Sequence, residues 1–191
     1  MKKFDPKHII SECYLDSGII ELMFEFKKGD INKKNGKPEA FKVLKNNYYL
    51  NHKAIIVVDY DNNNKGADKI LLNDFNNILE ISGEKTNYAF KGLKTQLRKN
   101  GLHKIIYFCI ESEDFLKYCL SEINEEITSF YPEFSRELGI PENKFSGLEA
   151  YSKKEKIRDS KTLKRIIRLL LNRESKTFQK LKEEIENHLN D

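Results

Sequence analysis

The chain has 191 residues, 34% of them charged and 11% aromatic, with a formal net charge of +4. This excludes a disordered polymer and leaves room for one domain with a buried core, with or without a helical appendage. Cys13, Cys109 and Cys119 form an odd set without metal-ligand spacing. Cys109 and Cys119 lie in apolar surroundings and read as reduced, buried residues of a cytoplasmic protein. The start, Met1 to Pro6, lacks the apolar run of a signal peptide, and no stretch approaches membrane-spanning length.

In chain order, strand and helix signals alternate. A short strand, His8 to Glu12, leads into an amphipathic segment from Asp16 to Phe26, with Ile19, Ile20, Met23 and Phe24 at helical spacing. The polar stretch Lys27 to Lys37 holds at most a weak edge strand. Pro38 sits where a first-turn proline is tolerated and opens a helix with Phe41, Val43 and Leu44. The strongest strand is Ala54 to Asp59, followed by the turn-forming loop Asn62 to Gly66 and a helix from Ile70 to Ile81. A second apolar run, Lys104 to Ile110, predicts another buried strand, with a helix from Glu113 to Ile127 behind it. This alternation argues for an α/β layer on a parallel sheet. Pro132, Gly139 and Pro141 mark a composition change, and helices follow at Ser160 to Leu171 and Ser175 to Leu189, each opened by a good N-cap.

The charge is unevenly spread. Between Tyr151 and Lys182 there are twelve Lys or Arg against three acids. That excess marks a polyanion-binding face, although a merely solvated helix surface carries the same pattern. In the first C-terminal helix Leu163, Ile166, Ile167 and Leu170 share one face, and Lys161, Lys164, Arg165 and Arg168 share the other. Such a helix can pack on the body while touching phosphates. A membrane-surface helix has a similar pattern, but the acidic residues that follow disfavour it.

The chemistry centres on carboxylates at strand ends. Asp59-x-Asp61 closes the strongest strand, Glu12 closes the first, and Glu113 follows the third. The carboxyl ends of parallel strands are where an α/β sheet places its ligands. If the three strands are neighbours, Glu12, Asp59, Asp61 and Glu113 converge, and their repulsion calls for protonation or for a hard cation such as Mg²⁺. Each residue has a plainer role too: aspartates cap turns, and Glu113 complements a helix dipole. The four histidines are scattered, no Gly-x-Ser-x-Gly elbow or P-loop is present, and neither Glu25/Lys27 nor Glu142/Lys144 follows a strand aspartate as in restriction nucleases. In a receiver-domain reading Asp59 would be the phosphoacceptor, but the acidic pair expected on the first strand is only Glu12 with Cys13.

Taken together, Glu12-Cys13-Tyr14-Leu15-Asp16, Gly36-Lys37 and Val57-Val58-Asp59-Tyr60-Asp61-Asn62 resemble the TOPRIM domain. The nearest likeness is to the small TOPRIM-like proteins and overcoming-lysogenization-defect nucleases, over roughly Ile9 to Leu120. The resemblance implies an α/β fold with a mostly parallel sheet flanked by helices, spanning 1–128, and leaves 129–191 as a helical basic extension packed on it. It implies that Glu12 is a metal ligand or general acid/base and that Asp59 and Asp61 bind Mg²⁺ or Mn²⁺. It further implies that Asp16 and Glu113 assist at the metal and that Lys37 meets a phosphate. One departure stands out: the family usually has glycine after the first glutamate, where this chain has Cys13.

The function expected is a Mg²⁺-dependent nuclease or nuclease-like phosphotransferase acting on DNA or RNA, with Lys161, Lys164, Arg165 and Arg168 tracking the backbone. The alternative is a non-catalytic nucleic-acid-binding or regulatory partner in a bacterial phage-defence or mobile-element system, alongside an ATPase.

Overall fold

A computed structural model describes residues 5–36, 38–40, 42–43, 46, 54–58, 96–100, 105–109 and 112–190. The strands are β1 (Ile9–Ser11), β2 (Asn32–Lys33), β3 (Ala54–Val58), β4 (Gln96–Asn100) and β5 (Ile105–Cys109). The helices are α1 (Tyr14–Met23), α2 (Ser112–Ser121), α3 (Tyr131–Leu138), α4 (Glu155–Arg158), α5 (Lys161–Asn172) and α6 (Lys176–Asn190). The fold is α/β. One sheet runs in the order β2-β1-β3-β5-β4, with β2, β1, β3 and β5 parallel and β4 antiparallel at the edge. β4 falls in a stretch without a strand signal: Gln-Leu-Arg-Lys-Asn has neither alternation nor β-branched residues.

β1 and β3 are apolar at every position but one because both faces of the sheet are covered. Ile9, Ile55 and Val57 join the cluster formed with α1 and α2, while Ile10 and Ile56, pointing to the other face, are equally buried. That cluster continues through Phe115 to Phe134, Leu163, Ile167 and Phe178, so α3, α5 and α6 share it with β1 and β3.

Helix α1 departs from expectation. Its spacing predicts a one-sided amphipathic helix, yet eight of its ten residues are buried, including Asp16, Ser17, Gly18 and Glu21. It lies between the sheet and the α4–α5 pair. Gly18 permits this closeness, since a Cβ there would stand 3.0 Å from Leu163 Cδ2 and 3.1 Å from Arg158 Cα. The polar groups that α1 buries are paired. Glu21 accepts from Arg158 through both Nε and Nη2 and from the Gly29 amide (2.9 Å), and Ser11 and Ser17 share a hydrogen bond of 2.6 Å.

Helix ends explain the other boundary differences. α1 stops before Phe26 because Glu25 takes a left-handed φ of 55° and Phe26 N–H returns to the Glu21 carbonyl (2.8 Å). The same closure ends α2 at Asn124, α3 at Gly139 and α5 at Glu174. The helix expected to reach Ile127 therefore ends at Ser121. Pro132 lies inside the first turn of α3 and does not break the chain, and residues 38–40 are helical behind Pro38 as expected.

The C-terminal helices are tied down at their starts by distant carboxylates. Glu137 of α3 accepts from the Thr162 amide (3.1 Å) and hydroxyl (3.0 Å), and Glu122 accepts from the Thr177 amide (2.9 Å) and hydroxyl (2.7 Å). Each thus caps a helix N-terminus together with the expected N-cap serine, Ser160 or Ser175. Among the described residues no helix is long and apolar enough to cross a membrane.

Two substitutions test this packing. Gly18→Val should destabilise the chain by about 1–3 kcal/mol, because the Arg158 backbone cannot yield. Glu174→Gly should stabilise it by about 1 kcal/mol by relieving the left-handed position. Urea unfolding measures both, and a neutral Gly18→Val would refute the close approach of α1 to α4.

Candidate functional site at the β1–β3 edge

Among the described strands the chain goes from β1 to β2 on one side and from β3 to β4 and then β5 on the other, so the connections diverge between β1 and β3. This switch point is where a parallel sheet opens a crevice at its carboxyl end. Ser11 pairs with Val57, and the Glu12 amide donates to the Val57 carbonyl (3.1 Å). Glu12 therefore emerges at this edge beside β3, which ends at Val58, one residue before Asp59 in sequence. β5 ends in register with β3, Val58 opposite Cys109. Asp59, Asp61 and Lys37 lie outside the described residues.

Glu12 lines a cleft of about 360 Å³ with Cys13, Tyr14, Lys33, Gly36 and Lys153. Gly36 has φ +97° and donates its amide to the Glu12 carbonyl (3.3 Å), which folds the loop after β2 over this edge. Cys13, where the resemblance leads one to expect glycine, has φ −133° and ψ 174°. That is extended backbone open to any residue, so the substitution imposes no dihedral strain here.

Asp16 is fully buried behind Glu12. Its carboxylate accepts from Ser112 Oγ (2.6 Å) and from the Cys13 amide (3.3 Å), tying the start of α1 to the start of α2. Burial is the largest cause that pushes its pKa up to about 7, with the Glu12 and Glu149 charges adding to it and the two hydrogen bonds opposing it.

Glu113 is placed differently. Its carboxylate accepts from Tyr131 Oη and from the Glu149 amide (3.1 Å), sits against Gly147, and lies 3.7 Å from Lys117 Nζ. Its own amide donates to Glu149 (2.9 Å). Glu113 thus clasps the 147–149 segment onto α2. Glu149, for which the sequence carries no signal, joins the acidic group, and desolvation, then the Glu113 and Asp114 charges, raise its pKa. A Cβ at Gly147 would fall 2.8 Å from the Glu113 oxygens, so glycine is required for the clasp.

The α5 cations are exposed, but they do not share the Glu12 edge. Lys164 and Arg168 line a groove of about 270 Å³ with Leu22, Glu25 and Phe26, at the opposite end of α1. Ten helical residues, about 15 Å, separate the two ends. Arg165 is paired with Glu133 (2.9 Å) and lies over the Phe130 ring, and Lys161 starts the helix.

Among the described residues no three His, Cys, Asp or Glu side chains gather to hold a metal ion. What those residues offer is an oxygen donor, Glu12, in an open cleft, backed by a buried carboxyl whose pKa is raised partly by Glu12.

Asp16 gives the edge a pH signature. An unfolded aspartate titrates near 3.8 and the folded one near 7, so the folded chain holds a proton that the unfolded chain releases. The stabilising contribution is complete below about pH 4 and is lost as pH rises through about 7. In chelator, the stability difference between Asp16→Asn and wild type should therefore move in the variant's favour from pH 5 to pH 8. Urea unfolding at both values reads this directly, and an unchanged difference would refute the buried, proton-holding Asp16.

Compared with known proteins, the chain matches no family model, no curated protein and no solved structure.

Proposed function

We propose that the chain is a TOPRIM-like, Mg²⁺-dependent nuclease or nuclease-like phosphotransferase acting on nucleic-acid phosphodiesters at the β1–β3 edge. One observation carries the reading: the switch point lies between β1 and β3, and Glu12 is hydrogen-bonded there to Val57, two residues before Asp59. Asp59 and Asp61 would hold the cation with Glu12, and Mg²⁺ in such a set polarises the scissile phosphate and acidifies an attacking water. Glu12, open to the cleft, is the carboxylate able to exchange a proton with a bound nucleophile or leaving group. Asp16 supports it from behind by fixing the Cys13 amide and Ser112, which holds the β1–α1 turn in place. Lys37, next to Gly36 in sequence, would meet a non-bridging phosphate oxygen.

A second reading has its own support. Lys161, Lys164 and Arg168 are exposed and carry no ion pair among the described residues, and the latter two lie at the far end of α1 from the carboxylates. A non-catalytic nucleic-acid-binding or regulatory partner could use that face alone.

The two readings separate in cleavage assays on plasmid DNA, single-stranded DNA and structured RNA with Mg²⁺, Mn²⁺ or chelator. Asp59→Ala and Glu12→Gln should each lose more than about 100-fold in metal-dependent cleavage while still binding. Absence of cleavage by wild type in every metal, with salt-sensitive binding that is lost in Lys164→Ala/Arg168→Ala, would transfer the function to α5.

A further inference from the structure

We propose that a single strand of nucleic acid reaches the Glu12 cleft through a lysine trough running from Lys153 past Lys33 and Tyr14 to Lys7, and not along α5. This deepens, and rests on, the reading of the β1–β3 edge as a phosphodiester site. The Glu12 cleft of about 360 Å³ shares Tyr14 and Lys33 with a second cavity of about 460 Å³ that continues outward to Lys7 beside β2. The two form one path, with Glu12 at its inner end.

The charge of that path follows from which groups are already committed. Arg158 on its wall is paired with Glu21, Glu155 shares Lys28 with Asp159 (2.9 and 2.5 Å), and Asp30 accepts the Lys27 amide (2.8 Å) while keeping its charge. Lys7, Lys33 and Lys153 have no carboxylate partner among the described residues. Three ammonium groups, Lys33 among them held by Asn35, thus line a path that also carries the Glu12 and Asp30 carboxylates.

The nearest alternative for phosphate binding, the N-terminus of α1, is closed. The Tyr14 and Leu15 amides both donate to the Ser152 carbonyl (3.0 and 3.2 Å), and the Cys13 amide donates to Asp16. An anion at this edge must therefore be met by side chains. The Ser152 contact that fills the helix end also anchors the chain where Lys153 enters the cleft.

Tyr14 supplies the preference for a single strand. Its half-buried ring sits where the two cavities join, with Lys33 Nζ 3.8 Å above it and held by Asn35 Oδ1 (2.6 Å). An unpaired base can stack on this ring by displacing the Lys33 ammonium from its face, which leaves that ammonium for the adjoining phosphate, whereas bases stacked inside a duplex cannot.

The test is binding of short labelled single-stranded and duplex oligonucleotides to the full chain in chelator, across a salt series, with thermal melts to confirm folding. The variant Lys7→Ala/Lys33→Ala/Lys153→Ala should lower the single-strand log–log salt slope by about 2. Tyr14→Leu should weaken single-strand binding roughly 5- to 150-fold, and Tyr14→Phe should restore it. Lys164→Ala/Arg168→Ala should lower that salt slope less than the trough variant does. Tighter wild-type binding to duplex, or loss confined to the α5 variant, would overturn the path. A parallel Mn²⁺ cleavage assay separates this from the parent reading. Binding lost in the trough variants of a protein that never cleaves keeps the path and removes hydrolysis. Metal-dependent cleavage with normal binding in the trough variants does the reverse.

Discussion

Helix α1 is enclosed by the sheet on one side and by α4 and α5 on the other, and a helix so enclosed must satisfy every polar group it carries. Leu15, Ile19, Ile20 and Met23 each gain about 1.5–3 kcal/mol from burial, which drives the enclosure. Asp16, Ser17 and Glu21 oppose it and are tolerated only because each has partners: Ser112 and Cys13, Ser11, and Arg158 with Gly29. Removing one member of the Glu21–Arg158 pair would strand a buried charge, a loss of about 3–5 kcal/mol. These partners come from β1, α2, the loop after α1, and α4. Meeting the needs of one helix therefore fixes the relative positions of four other parts of the chain.

The same constraint shapes the candidate site. Because α1 begins directly after Glu12, whatever holds its first turn also holds Glu12. Ser152 and Asp16 take up the amides of that turn, which removes the anion-binding character of a free helix start. Glu113 and Glu149 hold the 147–149 segment against α2 and so bring Ser152 to α1. Carboxylates that the sequence suggests as metal ligands are in two cases, Asp16 and Glu113, engaged in holding the edge together. Glu12 is the one of these described acids that lines the cleft there.

What was legible in the sequence follows from what each signal measures. β1, β3 and β5 are continuous apolar runs, and runs of that kind report double-sided burial wherever they occur. β2 and β4 are edge strands of mostly polar residues, which say little by themselves. Pro38, Gly139 and the N-cap serines act through local backbone chemistry and were readable. Glu25 and Glu174 also end helices in the left-handed region, but glutamate has no local preference for it, so those ends are set by tertiary packing. Glu12 could be found because it ends a strand. Ser152, Lys153, Glu149 and Lys33 reach the edge only through folding across the length of the chain, and no spacing rule records that.

Asp16 links these themes, since its ionisation is opposed by the burial that stabilises α1 and by the charge of Glu12. The two neighbouring carboxyls differ in exposure: Glu12 lines the cleft, and the buried Asp16 keeps a proton up to about pH 7. A cation held at Glu12 would screen the repulsion between them and favour the ionised form of Asp16, which accepts from Ser112 and Cys13 more strongly. Cation binding at the edge would then tighten the turn that positions Glu12. The interaction that costs stability in the metal-free chain is thereby the one through which a bound cation would order its own site.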